Sequence, residues 1–478
     1  MYTKMFPVFK TLKTHNGYYV YDRNNNSIIT ISEQEYNSLK NVENGIMDDR
    51  VNNLIQKYQA KGFLKNNQIT AIEHPCTNYV QCLLENNIEQ ITLQVTQRCN
   101  LRCSYCVYSG KFDNRVHSNL DMSFEQAKQA IIFGLQRSNN SPIFSIGFYG
   151  GEPLLMFDLI QKCVSFVEEN APNRKIDYTI TTNGTLLTLD KAEYLFSKNF
   201  HITISLDGSK EEHNLNRVFQ NGIGSFDTIM KNLAQIKKDF PEKFNSITYN
   251  CVVNPNHNFE HIKLYFDQHS ITGRSNVMYQ IVDLPTEDTP DLADSYYQMQ
   301  AFEYLKMLLF ILNKLPKEQV APFMWTQTEQ IMNTYDLLNL HGELTGNYHH
   351  SGPCIPGVRR PFVNCFGNIY PCERVSETSE VMKIGTLDNG YDLNSVKNIL
   401  NVGKITEDKC LNCWALLYCG QCARNADGGT VLSRSEKLKH CHQSQNEAES
   451  QLLEMCILKE FGCNFNIRDI NYYDEEER

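Results

Sequence analysis

From residue 91 to about residue 284 the chain alternates short apolar runs with longer amphipathic ones. The runs 91–96, 145–149, 176–181, 202–206, 247–253 and 277–282 have strand length, and their apolar, β-rich make-up predicts buried strands. Between them, 123–137, 155–170, 189–199, 225–239 and 259–269 repeat apolar residues at helical spacing, with Ser123 and Ser225 as expected N-caps. Such alternation implies an α/β fold, a parallel sheet covered by helices, with ligands at the C-terminal strand ends. Six units are too few for a closed eight-stranded barrel. Residues 1–88 read as a small separate module. It holds a hairpin (Tyr18 to Asp22, then Ile28 to Ile31), a helix capped by Ser32, and a second helix opened by Asp48 or Asp49 and ending near Gly62. Residues 73–89 read as a helical linker. The barrel region spans 89–296 and a helical bridge 297–345, where Phe302, Leu305, Leu308, Leu309 and Leu312 form a packing stripe. Residues 346–478 form a last, cysteine-rich domain.

Composition narrows the function. No apolar run approaches the ~20 residues a membrane helix needs, and the first residues lack the apolar core of a secretory signal. Seventeen cysteines without such a signal favour metal thiolates in a reducing cytosol over disulfides, so a cytoplasmic protein is expected. A net charge of −10 leaves no electrostatic footprint for nucleic acid. The acidic residues 474–477 read as a solvated tail.

The chemistry gathers after the first strand. Cys99, Cys103 and Cys106 follow it with three and two intervening residues. Three thiolates on a four-iron cluster leave one iron open to a small molecule, because such clusters normally take four; a zinc loop is the alternative. Strand two ends in Tyr149-Gly150-Gly151-Glu152-Pro153, where glycines would let the backbone approach a ligand and the carboxylate could accept from an ammonium. Strand three ends at Asn183, and strand four at Ser205 and Asp207. For Asn183 and Asp207 ordinary turn chemistry is the plain alternative. Beyond residue 350 come Cys354, Cys365, Cys372, Cys410, Cys413, Cys419, Cys422 and Cys441, with a zinc ribbon as the alternative. Cys76, Cys82, Cys163, Cys251, Cys456 and Cys463 lack such spacing and read as buried thiols.

The Cys99–Cys106 loop resembles the signature of the radical S-adenosylmethionine (SAM) superfamily, and residues 150–153 match its GGEP motif. The later cysteines resemble the SPASM extension of peptide-modifying members, with Cys419 and Cys422 one residue closer than usual. The resemblance is strong from Ile91 to His442 and weaker before. It implies a partial (β/α)6 radical SAM barrel, an N-terminal winged-helix-like recognition module and a C-terminal SPASM domain. It further implies SAM on the open iron, with Tyr105 beside the adenine and Gly150, Gly151, Glu152, Pro153, Asn183, Ser205, Asp207 and Arg217 around the cofactor. Asn214 stands where the family often has Asp. Three [4Fe-4S] clusters are implied: one on the loop, an outer one on Cys410, Cys413, Cys419 and Cys441, and a nearer one on Cys354, Cys372 and Cys422, with Cys365 as its expected fourth ligand.

The activity so implied is maturation of a ribosomally made precursor peptide through a 5′-deoxyadenosyl radical, with a thioether crosslink as the expected product. The precursor's leader would add a strand to the hairpin of residues 1–88, and a flavodoxin- or ferredoxin-type protein would supply electrons. A packing cap is the alternative for that module. Neither nucleic acid nor membrane is an expected partner. The alternative activity is that of a sulfatase-maturing enzyme, with Glu373 at the position of the base, where Asp is usual; a solvated rim charge is its plain reading. A non-catalytic iron–sulfur carrier is a third class, which the 150–153 motif argues against.

Overall fold

A computed structural model describes residues 6–46, 48–109, 117–253, 258–273, 276–282, 294–338, 342–350, 352, 354–463 and 465; the acidic stretch 474–477 lies outside them. The first three strands, β1 (Phe9–Lys13), β2 (Tyr18–Asp22) and β3 (Ser27–Ile31), form an antiparallel meander. The expected hairpin is β2–β3, and β1 adds to it. Ser32 caps the helix Glu33–Glu43 with a full capping box, and Asp48, not Asp49, caps Asp49–Ala60. Alternation sends Val20 to one side, against Leu39, Val51 and Ile55, and Tyr19 and Tyr21 to the other. The next strand is β4 (Gln68–Ile72). The stretch read as a helical linker carries a short turn, Pro75–Asn78, and one helix, Val80–Asn86.

Six parallel strands follow: β5 (Gln90–Thr96), β6 (Phe144–Gly150), β7 (Ile176–Thr182), β8 (Phe200–Ser205), β9 (Thr248–Val253) and β10 (Asn276–Ile281). From β6 on, each lies beside the strand that precedes it in the chain. Every crossover therefore returns to the adjacent place, as in a βα barrel and unlike a sheet wound outward from its centre. β10 pairs only with β9 among the described strands, and the sheet continues from the free edge of β5. After β11 (Thr345–Tyr348), which pairs in parallel with β4, comes β12 (Phe362–Val363), parallel to β5. The antiparallel strands β13 (Asn368–Tyr370), β14 (Gly385–Thr386) and β15 (Gly390–Tyr391) complete ten. The cysteine-rich region is thus built onto the strand that launches the Cys99 loop.

Two expectations need correction. Ser123 caps Phe124–Gln136 with a capping box, but Ser225 makes no cap bond; its hydroxyl donates to the Arg217 carbonyl (2.9 Å) and meets His213 Nε2 (2.9 Å). In the bridge, the helix Asp294–Ile311 buries Glu303, Met307, Phe310 and Ile311, while Phe302 and Leu305 are 57% and 51% exposed. Apolar residues surround most of that helix, so periodicity did not single out the buried side. Glu303 can be buried because Lys306 (3.0 Å) and Lys263 (3.6 Å) neutralise it. Among the described residues no helix is long and apolar enough to cross a membrane.

Candidate active site and cysteine groups

The loop leaving β5 is gripped from two sides. Arg102 N donates to the Val218 carbonyl (2.7 Å) and Ser104 N to that of Asn216 (3.1 Å). Opposite, Gly151 N donates to Thr96 O (2.8 Å) and Glu152 N to Arg98 O (2.9 Å). A Cβ on Gly150 would stand 2.1 Å from Thr96 O, and one on Gly151 2.1 Å from Arg98 O, while Gly150 has φ +135°. The close approach that these glycines allow is therefore to the cysteine loop's own backbone. Pro153, buried, starts the short turn Pro153–Met156 behind them.

Glu152 is buried among donors. Its Oε1 accepts from Leu154 N (3.0 Å) and Thr182 Oγ1 (2.7 Å), and its Oε2 from Asn183 N (2.7 Å). Burial raises its carboxyl above the ordinary value against these three bonds. The carboxylate expected at SAM's ammonium thus ties the ends of β6 and β7 together. Asn183 reaches back to the cluster loop: its Nδ2 donates to Asn100 Oδ1 (2.9 Å) and lies 3.9 Å from Cys99 Sγ. Its Oδ1 accepts from Thr185 N (3.0 Å) and Thr185 Oγ1 (2.6 Å).

A second hub lies beyond β8, which Ser205 closes half-buried. Asp207 Oδ2 accepts from Arg217 Nε (2.8 Å) and from the Tyr105 hydroxyl, and Oδ1 from Val252 N (3.0 Å). Burial alone would raise this carboxyl; the Arg217 guanidinium holds it below the usual carboxylate range. The Arg217 guanidinium lies over the Tyr105 ring at 5.3 Å, so the tyrosine expected beside the adenine is pinned at both ends. His213 Nδ1 accepts from Asp207 N (3.3 Å), which leaves the proton on Nε2 for Ser225. Here Asp207 is far more than a turn residue.

The three loop thiols meet this frame. Cys99 interacts electrostatically with Glu152, Cys103 and Cys106, and Cys103 with Arg217. Leu101 N approaches Cys99 Sγ, and Tyr108 N approaches Cys106 Sγ, both at 3.4 Å. Burial pushes Cys99 up to about 12 and Cys103 up to about 11, so the bare pocket favours neutral thiols. A bound metal reverses that preference, because a coordinating thiol is deprotonated outright. The donors aimed at sulfur suit thiolates on iron.

The later cysteines fall into two groups. Cys413 interacts with Cys410 and Cys441, and Cys419 with Cys413 and Cys410. Each of three sulfurs has a polar group on it: Gln445 Nε2 on Cys413 (3.7 Å), Gln421 Nε2 on Cys441 (3.7 Å) and Thr406 Oγ1 on Cys410 (3.3 Å). In the other group Cys354 interacts with Cys422, and Cys372 with Cys354. Gly352 lies so close to this segment that a Cβ there would stand 2.2 Å from Gln421 O. The donor sets fit iron–sulfur clusters in both groups. Among the described residues no three His, Cys, Asp or Glu side chains converge as ligands of one ion.

Cys365 is placed elsewhere. The β12–β5 pairing carries it against Gln94, whose carbonyl accepts from Cys365 Sγ (3.2 Å) and whose Oε1 accepts from Cys365 N (3.1 Å). Burial pushes this thiol up to about 12. The Cys365 thiol is thus held by Gln94, with Glu377 and Asp121 as the charges acting on it. Glu373, beside Cys372, pairs with Arg360 at 3.2 Å and is 12% exposed, so it is no solvated rim charge. Sequence reasoning missed Gln94, which also donates to the Tyr108 hydroxyl (2.9 Å) and to Glu377 (2.7 Å). The available signal was an amide at an interior position of β5, between Leu93 and Val95. Asn100, whose Nδ2 donates to Thr185 Oγ1 (2.8 Å), had no signal beyond its place between the cysteines.

Residues 93–268 match the Radical SAM superfamily. The chain is 28% identical over 361 residues to the cysteine-type anaerobic sulfatase-maturating enzyme of Clostridium novyi, covering 71% of this chain and 89% of that one. It is 29% identical to the radical SAM cyclopropyl synthase TigE of Paramaledivibacter caminithermalis, over 46% of each chain. Among solved structures it resembles native anSMEcpe with bound AdoMet, with TM-score 0.56 and 22% identity, covering 77% of this chain and 99% of the other. At that identity the likeness speaks for the fold.

Proposed function

We propose that this chain, a radical SAM superfamily enzyme homologous to the anaerobic sulfatase-maturating enzymes, is a peptide maturase that crosslinks a ribosomally made precursor, with a Cys-to-carbon thioether as product. The observation that carries this reading is the gathering of Cys99, Cys103 and Cys106 at one strand end, with seven further thiols in two groups among residues 354–441. With a four-iron cluster and SAM bound, the loop site supplies an electron and a 5′-deoxyadenosyl radical. The chain's own residues hold the geometry: Glu152 and Asn183 fix the loop from the ends of β6 and β7, and Asp207 with Arg217 fixes Tyr105. On this reading residues 346–478 are a SPASM domain with two auxiliary clusters, and a flavodoxin- or ferredoxin-type protein is the reductant.

Residues 1–88 are then the leader-binding module. Among the described strands β3 pairs only with β2, so its outer edge offers unpaired backbone groups to an added strand. A peptide partner is in keeping with the structure of anSMEcpe bound to AdoMet and the Kp18Cys peptide. The second reading, formylglycine formation on a sulfatase, is favoured by the long match to the Clostridium novyi enzyme. It would use Glu373 as base, paired with Arg360 (3.2 Å) beside Cys372.

Anaerobic reconstitution with SAM and dithionite tests the proposal. A short cysteine-bearing peptide encoded beside the gene should lose a pair of hydrogens and its free thiol while 5′-deoxyadenosine is released. A sulfatase peptide converted in its place would establish the second reading. Absence of 5′-deoxyadenosine with either peptide would reject both.

A further inference from the structure

The outer thiol group is flanked by two buried cations that stand in no ion pair among the described residues, although the Asp22 charge acts on Arg23. Lys437 is 1% exposed and Arg23 is fully buried. Lysine and arginine are almost never fully buried unless paired, since an uncompensated charge in the interior is strongly destabilising. Among the described residues neither has an Asp or Glu within ion-pair range. The partners of Arg23 are neutral: Nη1 donates to the carbonyls of Leu411 (2.8 Å) and Cys413 (3.2 Å), Nη2 to Asn67 Oδ1 (2.5 Å), and Nε to nothing. Its neighbour Asp22 turns its carboxylate to Leu64 N (2.7 Å) and Asn24 N (3.0 Å) instead.

Lys437 sits in the helix Arg434–Lys439, and Cys441 opens the next helix, Cys441–Glu460, directly after the shared cap His440. Cys441 Sγ lies 3.9 Å from the Lys437 carbonyl. The Lys437 charge acts on Cys419, and it helps to depress His349 and His350, which burial already lowers. Neutral thiols cannot compensate two buried cations; thiolates on an iron–sulfur cluster can.

We propose that Lys437 and Arg23 are the counter-charges of the cluster held by Cys410, Cys413, Cys419 and Cys441, and that they hold its midpoint potential up. The inference rests on the reading that these four cysteines bind a cluster. Reduction adds one negative charge to the cluster, and a nearby cation stabilises the reduced form more than the oxidised one. Arg23 comes from the N-terminal sheet, so residues 1–88 contribute to this cluster's electrostatics as well as to any peptide they bind.

The test is an EPR-monitored redox titration of the full-length, reconstituted protein, with each electron supplied by added dithionite. The outer-cluster signal is assigned as the one lost in the Cys410→Ala/Cys413→Ala variant. In Lys437→Met its midpoint should move to more negative potential, by a factor on the order of ten in the reduced-to-oxidised ratio, or about 59 mV for one electron. Lys437→Arg, which keeps the charge, should stay near wild type. Arg23→Gln and Arg23→Lys should divide in the same way, and they decide the matter if Lys437→Met fails to retain iron. An unmoved midpoint in the charge-removing variants, or an equal shift in the charge-keeping ones, overturns the proposal. Iron and spectra unchanged in the Cys410→Ala/Cys413→Ala variant would instead overturn the cluster reading beneath it.

Discussion

Asp207 has no exposed surface yet stays ionised, because Arg217 supplies a buried guanidinium 2.8 Å away. Asp207→Asn would strand that guanidinium, and breaking a buried pair costs about 3–5 kcal/mol. The expected outcome is a lower urea midpoint for Asp207→Asn, together with loss of SAM cleavage as Tyr105 is released. The pH dependence has a fixed sign. The folded carboxyl lies below its unfolded value of ~3.9, so its stabilisation is complete above that range and is lost as pH falls through the folded value. Urea titrations of both proteins across acid pH should therefore converge at the acid end; a constant gap would reject the ion-pair account. Changing Cys99, Cys103 and Cys106 together to Ala should abolish 5′-deoxyadenosine formation while iron on the later cysteines remains. The three loop cysteines were legible because they are close in the chain. The Asp207–Arg217–Tyr105 contacts were not, since Tyr105 and Asp207 meet only through the packing of the loop against β8. Cys365 lies in the right interval of sequence for a ligand, while the register of β12 carries its side chain toward Gln94, which no local pattern records.

At the level of elements, all six strands of the barrel lie within two residues of the expected bounds, because apolar β-rich runs set between amphipathic helices are a local signal. Helix caps were less secure: Ser123 and Ser225 look alike in sequence, but His213 and the Arg217 carbonyl claim the second hydroxyl. The Gly150–Gly151 turn shows the same limit, since its motif was plain and its contact was not. Gly151→Ala would place a Cβ 2.1 Å from a backbone oxygen of the cysteine loop, which cannot rotate away. Overpacking of this kind typically costs about 1–3 kcal/mol, here concentrated on the loop at Arg98, next to Cys99. We expect Gly151→Ala to lose the loop's share of iron and its 5′-deoxyadenosine, with the later cysteines still loaded, as read by iron analysis and Mössbauer spectra. A variant that keeps full iron and SAM cleavage would show that the loop can shift without harm.

Across the whole molecule the N-terminal sheet has two faces in use, and the sequence disclosed only one. Leu12, Tyr19, Tyr21, Ile69 and Ile72 are buried in one core with Leu416, Leu417, Tyr418 and Leu452 of the cysteine-rich region. β4 pairs with β11 across more than 270 residues, which no local pattern records. Fully burying each such side chain is worth about 1.5–3 kcal/mol, so five of them rival the ~5–15 kcal/mol net stability of an ordinary domain. Deleting residues 1–88 therefore removes more than the proposed peptide site. It uncovers that core, frees β11, and takes Arg23 from the carbonyls of Leu411 and Cys413. The expected product, residues 89–478, binds a hydrophobic dye, aggregates on concentration and carries less iron than the full chain. Leader binding is better read in the intact protein, as slowed amide exchange at Ser27–Ile31 when precursor is added. If residues 89–478 stay monomeric with their full iron, the shared core contributes little to the cysteine-rich fold. If exchange at β3 is also unchanged by precursor, the sheet is a packing cap and the leader must bind elsewhere.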